Sequence, residues 1–354
     1  MITMTATQKK GRGSQINPHN RFNKLTRVHL SDLEDEAPVP INKTKLIETF
    51  PKTIINKINS PDIPFRYSIN PYQGCEHGCS YCFARPTHNY WGYSSGTDFE
   101  QKILIKKNAP ALLSKTLRKK NWKVAPVMIS GNTDPYQPVE KRFELTRQLL
   151  KIFLDYRHPV SIITKNAMVL RDLDILKSLA EKDLVSVCFS INTLNDRLRR
   201  KLEPRTSTIN KRLKAISTLI ENGIPVHILI APIIPGLNDH EVIPLVKELS
   251  ARNVFNISHI PIRLNDDLEE IFTSWLKDNF PSKEKKVLNL IRSCREGKLG
   301  EKRFGKRMKG TGPYADHIRE QFDKAMKIFF KPREIKPYNL ELFSPGGSRQ
   351  MSLF

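Results

Sequence analysis

Residues 74–82 read GCEHGCSYC. The stretch gathers Cys75, Cys79 and Cys82 into one short segment, while the remaining 345 residues hold two further cysteines, Cys188 and Cys294. Thiolates are soft ligands that select zinc, Cu(I) or iron–sulfur clusters. A structural zinc site wants four ligands, so zinc here would have to recruit His77 or His88, or the distant Cys188 or Cys294. An iron–sulfur cube ordinarily takes four thiolates, one per iron. Three would leave one iron open to a substrate or cofactor, which is what catalysis at a metal centre needs. Glu76, His77, Gly78 and Ser80, interleaved with the thiols, argue for a polar, flexible loop rather than a buried structural element.

The pattern on either side says where that loop sits. Apolar, β-branched runs occur at 66–71, 124–130, 159–164, 184–191, 225–231 and 254–260. Between them lie stretches of helical periodicity such as VEKRFELTRQLLKIFLDY and LRDLDILKSLAEK. Strands alternating with amphipathic helices predict βαβ units and a parallel sheet. The fold class is therefore α/β. Six repeats fit a partial (β/α)6 TIM-like barrel, with a doubly wound sheet as the alternative. The reading divides the chain into a basic, proline-interrupted N-terminal extension (1–60), the barrel (61–262), a helical basic C-terminal region (263–340) and a flexible tail (341–354). The C-terminal helices are predicted at 267–279, 282–295 and 314–329. The cysteines follow the first strand, and in barrels the loops after strands carry the chemistry.

Charge is the second strong signal. Lys and Arg number 59 against 36 Asp and Glu, a net +23. The first acidic residue is Asp32, after Lys9, Lys10, Arg12, Arg21, Lys24 and Arg27, and further basic runs lie at 117–123, 197–201 and 295–310. A single run reads as a solvated helix face; so many, with this net excess, point to phosphate binding and hence nucleic acid. No apolar run is long enough to span a bilayer. The start, MITMTATQKKGRG, lacks the core and cleavage site of a signal peptide, and five unevenly spaced cysteines are unlike a secreted disulfide framework. The expectation is a cytoplasmic protein with no membrane partner.

With its Cx3Cx2C spacing, Tyr81 before the third cysteine, and a place after the first of six β/α repeats, the segment resembles the radical S-adenosylmethionine (SAM) superfamily. That resemblance implies a [4Fe-4S] cluster held by Cys75, Cys79 and Cys82, with SAM chelating the fourth iron. It also implies an external electron donor such as flavodoxin or ferredoxin, and cleavage of SAM to a 5'-deoxyadenosyl radical that abstracts hydrogen. SGNTDPYQPVE then offers Gly131, Asn132, Thr133 and Asp134 where the superfamily meets the SAM amino group, Asp134 as acceptor. CFSINT offers Ser190 and Asn192 for the ribose hydroxyls. EPRTS supplies Arg205 for the carboxylate, and IAPIIPGLND supplies Ile233 and Gly236 behind the adenine. The plainer readings are a turn residue for Asp134, a surface charge for Arg205 and core packing for Ile233.

NPYQGCEHGCSYCFARPTH, SGNTDPYQPVE and EPRTS together resemble a branch related to spore photoproduct lyase and loosely called DNA repair photolyases. Those lyases carry a hydrogen-donating cysteine soon after the cluster motif, whereas no cysteine lies here between 82 and 188. Cys188 is the remaining candidate donor, against the base rate of free cysteines as inert small core residues. The chain ends FSPGGSRQMSLF, where Gln350, Met351, Leu353 and Phe354 behind a Gly-rich leash resemble the peptide that binds the bacterial sliding clamp. The leading expectation is thus a DNA-directed, repair-like lyase of the radical SAM type. The alternatives are radical modification of RNA or protein, and a non-catalytic nucleic-acid-binding protein with a structural metal.

Overall fold

A computed structural model describes residue 9, residues 11–22 and residues 43–347. Its strands, in chain order, are β1 (Lys45–Thr49), β2 (Ile55–Lys57), β3 (Tyr67–Ile69), β4 (Tyr72–Gln73), β5 (Lys102–Lys106), β6 (Val127–Ile129), β7 (Val160–Thr164), β8 (Val185–Ser190), β9 (Val226–Ile233) and β10 (Asn256–Pro261). β3, β6, β7, β8, β9 and β10 pair in that order, every neighbour parallel. These are the six strands that the apolar runs predict, and they form the partial barrel. β2 runs antiparallel to β3 and covers its outer edge, while β1, β5 and β4 make a separate three-stranded sheet.

Alternation along the strands sorts side chains into two faces. On β8, Val185, Val187 and Phe189 are buried in the main apolar core beneath the outer helices. Ser186, Cys188 and Ser190 take the opposite, inner face. The helices answer with the complementary stripe: in Leu145–Asp155, Leu145, Leu149, Leu150 and Phe153 are the buried apolar positions, at the three-to-four-residue spacing of one helical face.

One expected helix is two. The run 139–156 breaks at Glu144, which adopts φ 49°, so Glu140–Phe143 and Leu145–Asp155 are separate helices. The buried Glu140 carboxylate explains the break: it accepts from Thr146 N at 3.1 Å, satisfying an amide that the start of the second helix leaves without an intrahelical partner. Past β10 come helices Leu268–Asn279, Glu284–Ser293 and Pro313–Phe329. Residues 330–347 then cross the end of the barrel where the strands begin: Asn339 N donates to Asp183 O, Ser344 N donates to Tyr156 O, and Tyr338 OH lies 2.5 Å from Ser186 Oγ on the inner face of β8. The other end, where strands run out into loops, carries the cysteines.

Candidate functional site

The cysteine loop is held from three sides. Cys75 N donates to Phe99 O, Glu76 N to Gln137 Oε1 and Ser80 N to Leu202 O. Arg85, fully buried, donates through Nε to Cys79 O and through Nη1 to Gly96 O, and its Nη2 pairs with the Glu100 carboxylate. Glu100 also accepts from the backbone amides of Gly13 (3.0 Å) and Ser14 (2.8 Å). Residues near the N-terminus, which composition alone marks as a basic extension, are in this way built into the cysteine loop. The contact is close: a Cβ on Gly13 would lie 1.7 Å from Gly78 O.

All three thiols are free, Cys75 and Cys79 buried and Cys82 half-buried. Burial pushes the Cys79 thiol up, and Glu203 and the other two cysteines add to that. Cys82 is pushed up by burial and by Cys75. Lys165 pulls both back down, as Arg85 does for Cys82. The loop thus offers mutually facing thiols, costly to ionise together unless a cation sits among them. Among the described residues, no three His, Cys, Asp or Glu side chains converge where one ion would sit. A cube needs no such convergence, because each thiolate meets its own iron, so the donor set fits a cluster. Of the residues zinc would recruit, His77 lies beside Cys75 with its Nδ1 turned to Asp134, His88 packs its ring edge-on against Phe99, Cys188 lies in the barrel and Cys294 ends the helix Glu284–Ser293.

Asp134 is occupied by the protein. Its Oδ1 accepts from Tyr136 N (2.9 Å) and Thr164 Oγ1 (2.7 Å), its Oδ2 accepts from Lys165 N (2.8 Å), and His77 Nδ1 lies 3.4 Å from Oδ2. A carboxylate has about four lone-pair sites; three hydrogen bonds take three of them, and His77 faces Oδ2 as an ion-pair contact. Burial opposes ionisation, but His77 and the donated hydrogen bonds hold the carboxyl below its usual range. Within the protein, Asp134 ties β6, β7 and the cysteine loop together. Its neighbours are similarly engaged. Asn132 bonds Gln73 and Thr87 through its side chain, Thr133 Oγ1 donates to Tyr72 O, and Gly131 adopts φ 101°, a backbone conformation that side chains rarely take.

A charged network that the sequence reading overlooked lies at the centre of the mouth. Lys165, directly after β7, donates from Nζ to Ser190 Oγ (2.5 Å) and pairs with Glu203 Oε1 at 3.2 Å. Glu203 and Arg212 are both fully buried and paired, and Glu203 also accepts from Tyr81 OH. Tyr81 in turn accepts from Asn192 Nδ2 (3.3 Å), whose Oδ1 is buried without a partner. The signals were present: a lysine ending an apolar strand run, and the glutamate of EPRTS one step before the proline. Arg205 stands beside the loop, its N donating to His77 O and its guanidinium half-exposed, 3.5 Å from Glu76. Ile233 belongs to the main core, and Gly236 packs on the helix Glu284–Ser293, where a Cβ would meet Leu290 at 3.2 Å. Ile234, not Ile233, shares a buried apolar cluster with Cys79 and Tyr81. Cys188, level with Ile163 and His227 in the sheet, is half-buried on the inner face, its thiol pushed up to about 12 by burial.

Comparison with known proteins adds a family. The radical SAM superfamily model matches residues 69–249. An uncharacterized protein of Mycobacterium bovis is 33% identical over 248 residues, 69% of this chain and 73% of that protein. An uncharacterized protein of Methanocaldococcus jannaschii is 31% identical over 70% of this chain and 88% of its own. A radical SAM Nalpha-GlyT isomerase of Pseudomonas phage M6 is 29% identical over 48% of this chain and 34% of its own. Among solved structures, spore photoproduct lyase complexed with dinucleoside spore photoproduct matches at a TM-score of 0.59 and 17% identity, over 80% of this chain and 79% of that one. Among the described residues, no helix is long and apolar enough to cross a membrane.

Proposed function

Because the chain belongs to the radical SAM superfamily, and is therefore an enzyme that uses a [4Fe-4S] cluster and SAM, we propose that its substrate is nucleic acid, DNA before RNA, in a repair-like reaction. The observation that carries this reading is the net charge of +23, an excess that repels itself unless polyanion is bound. Support comes from the relatives: the structural neighbour is solved with a dinucleoside photoproduct, and the phage relative is named for an isomerisation of GlyT.

Cys75, Cys79 and Cys82 are the proposed cluster ligands, each on one iron. The bound cluster and SAM supply a carbon-centred radical able to abstract hydrogen. The chain's own residues orient and shield. Asn192 Oδ1, buried without a hydrogen-bond partner among the described residues, supports Asn192 as the acceptor for a ribose hydroxyl, together with Ser190; a buried polar atom left unpaired is costly, and a ligand would relieve it. Arg205, whose guanidinium is half-exposed and 3.5 Å from Glu76, is the proposed partner of the carboxylate. Cys188 is assigned as hydrogen donor: its thiol is kept protonated and faces the barrel interior, whereas Val187 and Phe189 face the core. The residues proposed for the sliding clamp, Gln350, Leu353 and Phe354, lie outside the described residues.

The test is anaerobic incubation of reduced protein with SAM and, separately, DNA, RNA and peptide, following 5'-deoxyadenosine with flavodoxin or ferredoxin as electron donor. DNA should raise its formation above the uncoupled rate. Stimulation by RNA or peptide alone would overturn the DNA reading.

A further inference from the structure

Four exposed aromatic rings lie on segments that meet near the mouth of the barrel, apart from Phe50 beside β1. Phe83, immediately after Cys82, is 55% exposed; Phe304 is 56%, Tyr90 71% and Phe22 50%. Grouped exposed apolar rings on a soluble protein mark a binding surface. Each belongs to a ring–guanidinium pair or a stack. Arg263 sits 5.3 Å from the Phe83 centroid, and Arg307 sits 4.6 Å from the Phe304 centroid. Phe22 stacks on Tyr90 at 4.9 Å, with Arg21 over Phe22 at the same distance.

The two groups join through the segment that leaves β10. Arg263 is near enough to Arg307 for their charges to repel, and Arg21 bridges to Asp266 at 3.4 Å. Asp62 fixes the far end, accepting from Gly305 N (2.8 Å) and Arg307 Nε (2.6 Å), so the ring of Phe304 is presented on an anchored loop. That loop lies in 295–310, which carries seven Lys and Arg against two Glu; Lys302, Arg303, Lys306 and Lys309 are exposed, the first three sharing Asp266, Glu296 and Glu301 in surface ion pairs that a phosphate can displace. Beside the Arg21–Asp266 bridge, Asp266, Asp267, Glu269, Glu270 and Asp278 line a concavity together with Lys277, which would turn phosphate toward the basic loop.

Rings alternating with arginines, beside a row of exposed cations, have the composition of a platform on which successive bases stack while their phosphates run along the basic loop. A duplex hides its base faces and would use only the charge. We propose that this surface is a base-stacking track for single-stranded DNA, or for a strand locally opened, which feeds an unstacked nucleotide to the mouth at Phe83. The inference rests on the nucleic-acid reading given above and narrows it.

The test is a fluorescence-anisotropy titration of the anaerobic, cluster-loaded full chain with one labelled sequence, as single-stranded DNA, as duplex and as RNA. Single-stranded DNA should bind about tenfold more tightly than duplex. Tyr90→Ala and Phe304→Ala, at exposed rings remote from the core, should each weaken single-strand binding roughly fivefold or more while leaving the slope of log affinity against log salt unchanged. Lys309→Ala should instead lower that slope by about one. If duplex binds as tightly as single strand and the ring variants bind like wild type, the track is overturned while the charge-driven reading stands. Tighter binding of the RNA strand overturns DNA as the occupant. If no form binds, both readings fall together.

Discussion

Glu203→Ala tests the centre of the site most directly, because its cost can be worked from the contacts. Glu203 is fully buried and accepts from Tyr81 OH, from Arg212 Nη2 at 2.5 Å and, as an ion pair, from Lys165 at 3.2 Å. Arg212, also fully buried, keeps hydrogen bonds to Ser190 O and Ser207 O but has no second anion. Removing one partner of a buried pair leaves the other charge uncompensated, which costs about 3–5 kcal/mol. For a chain of this size, at roughly 2 °C per kcal/mol, the thermal midpoint should fall by about 6–10 °C. The double variant Glu203→Ala/Arg212→Met removes both charges and should recover roughly half of that loss. Burial alone would raise the Glu203 pKa, but Arg212 and Lys165 outweigh it and hold the carboxyl far below the usual glutamate range. A depressed carboxylate stabilises above its unfolded pKa and loses that contribution as pH falls, so the gap between wild type and variant should narrow only below about pH 4.5. Circular dichroism melts across pH read all three. A single variant within about 2 °C of wild type, or a double variant less stable than the single, would refute the reasoning.

Cys75→Ala, Cys79→Ala and Cys82→Ala should each lose the brown cluster and all reductive SAM cleavage, whereas Cys294→Ala should lose neither; iron content and 5'-deoxyadenosine yield decide it. Cys188→Ala should keep both cluster and SAM cleavage and lose conversion of substrate, measured as product per deoxyadenosine formed. Burial lowers the pKa of His158 to about 4, and its Nε2 accepts from Trp122 Nε1. A buried neutral histidine stabilises above its unfolded pKa, so about 3 kcal/mol should be lost as pH falls from about 6.5 to 4; in urea titrations, His158→Gln should flatten that loss. Ending the chain at Ser352 should weaken binding to a sliding clamp at least about tenfold, from two apolar side chains at roughly 1.5–3 kcal/mol each before ordering costs, with SAM cleavage unchanged.

The parts legible in the sequence are those whose cause is local. Six strands and three C-terminal helices announce themselves through periodicity, because each buries one face and the pattern repeats within a few residues. The cysteines announce a metal centre through spacing alone. The structural partners of Asp134 are hidden for the opposite reason: Thr164, Lys165 and His77 lie far along the chain, and nothing near it shows that it ties two strands to the cysteine loop. The network of Lys165, Glu203, Arg212 and Tyr81 exists only once three loops meet. Gly13 and Ser14 sit in a polar, basic stretch that reads as unstructured, yet a carboxylate 86 residues on fixes Ser14. β5 did carry a signal, since KILIK is a β-branched run between charges; its pairing with β1 and β4 did not.

The meeting of Gly13 and Gly78 has a consequence for how such a contact would look across many related sequences. What obstructs a side chain on Gly13 is the main-chain oxygen of Gly78, and Gly78 itself adopts φ 67° with Glu100 Oε2 2.7 Å from where its Cβ would be. No change at one position can make room for a change at the other, since neither obstacle belongs to the partner's side chain. Two positions bound in this way vary neither singly nor together. A pairwise statistic built on correlated replacement would assign them no coupling, although their backbones are in direct contact.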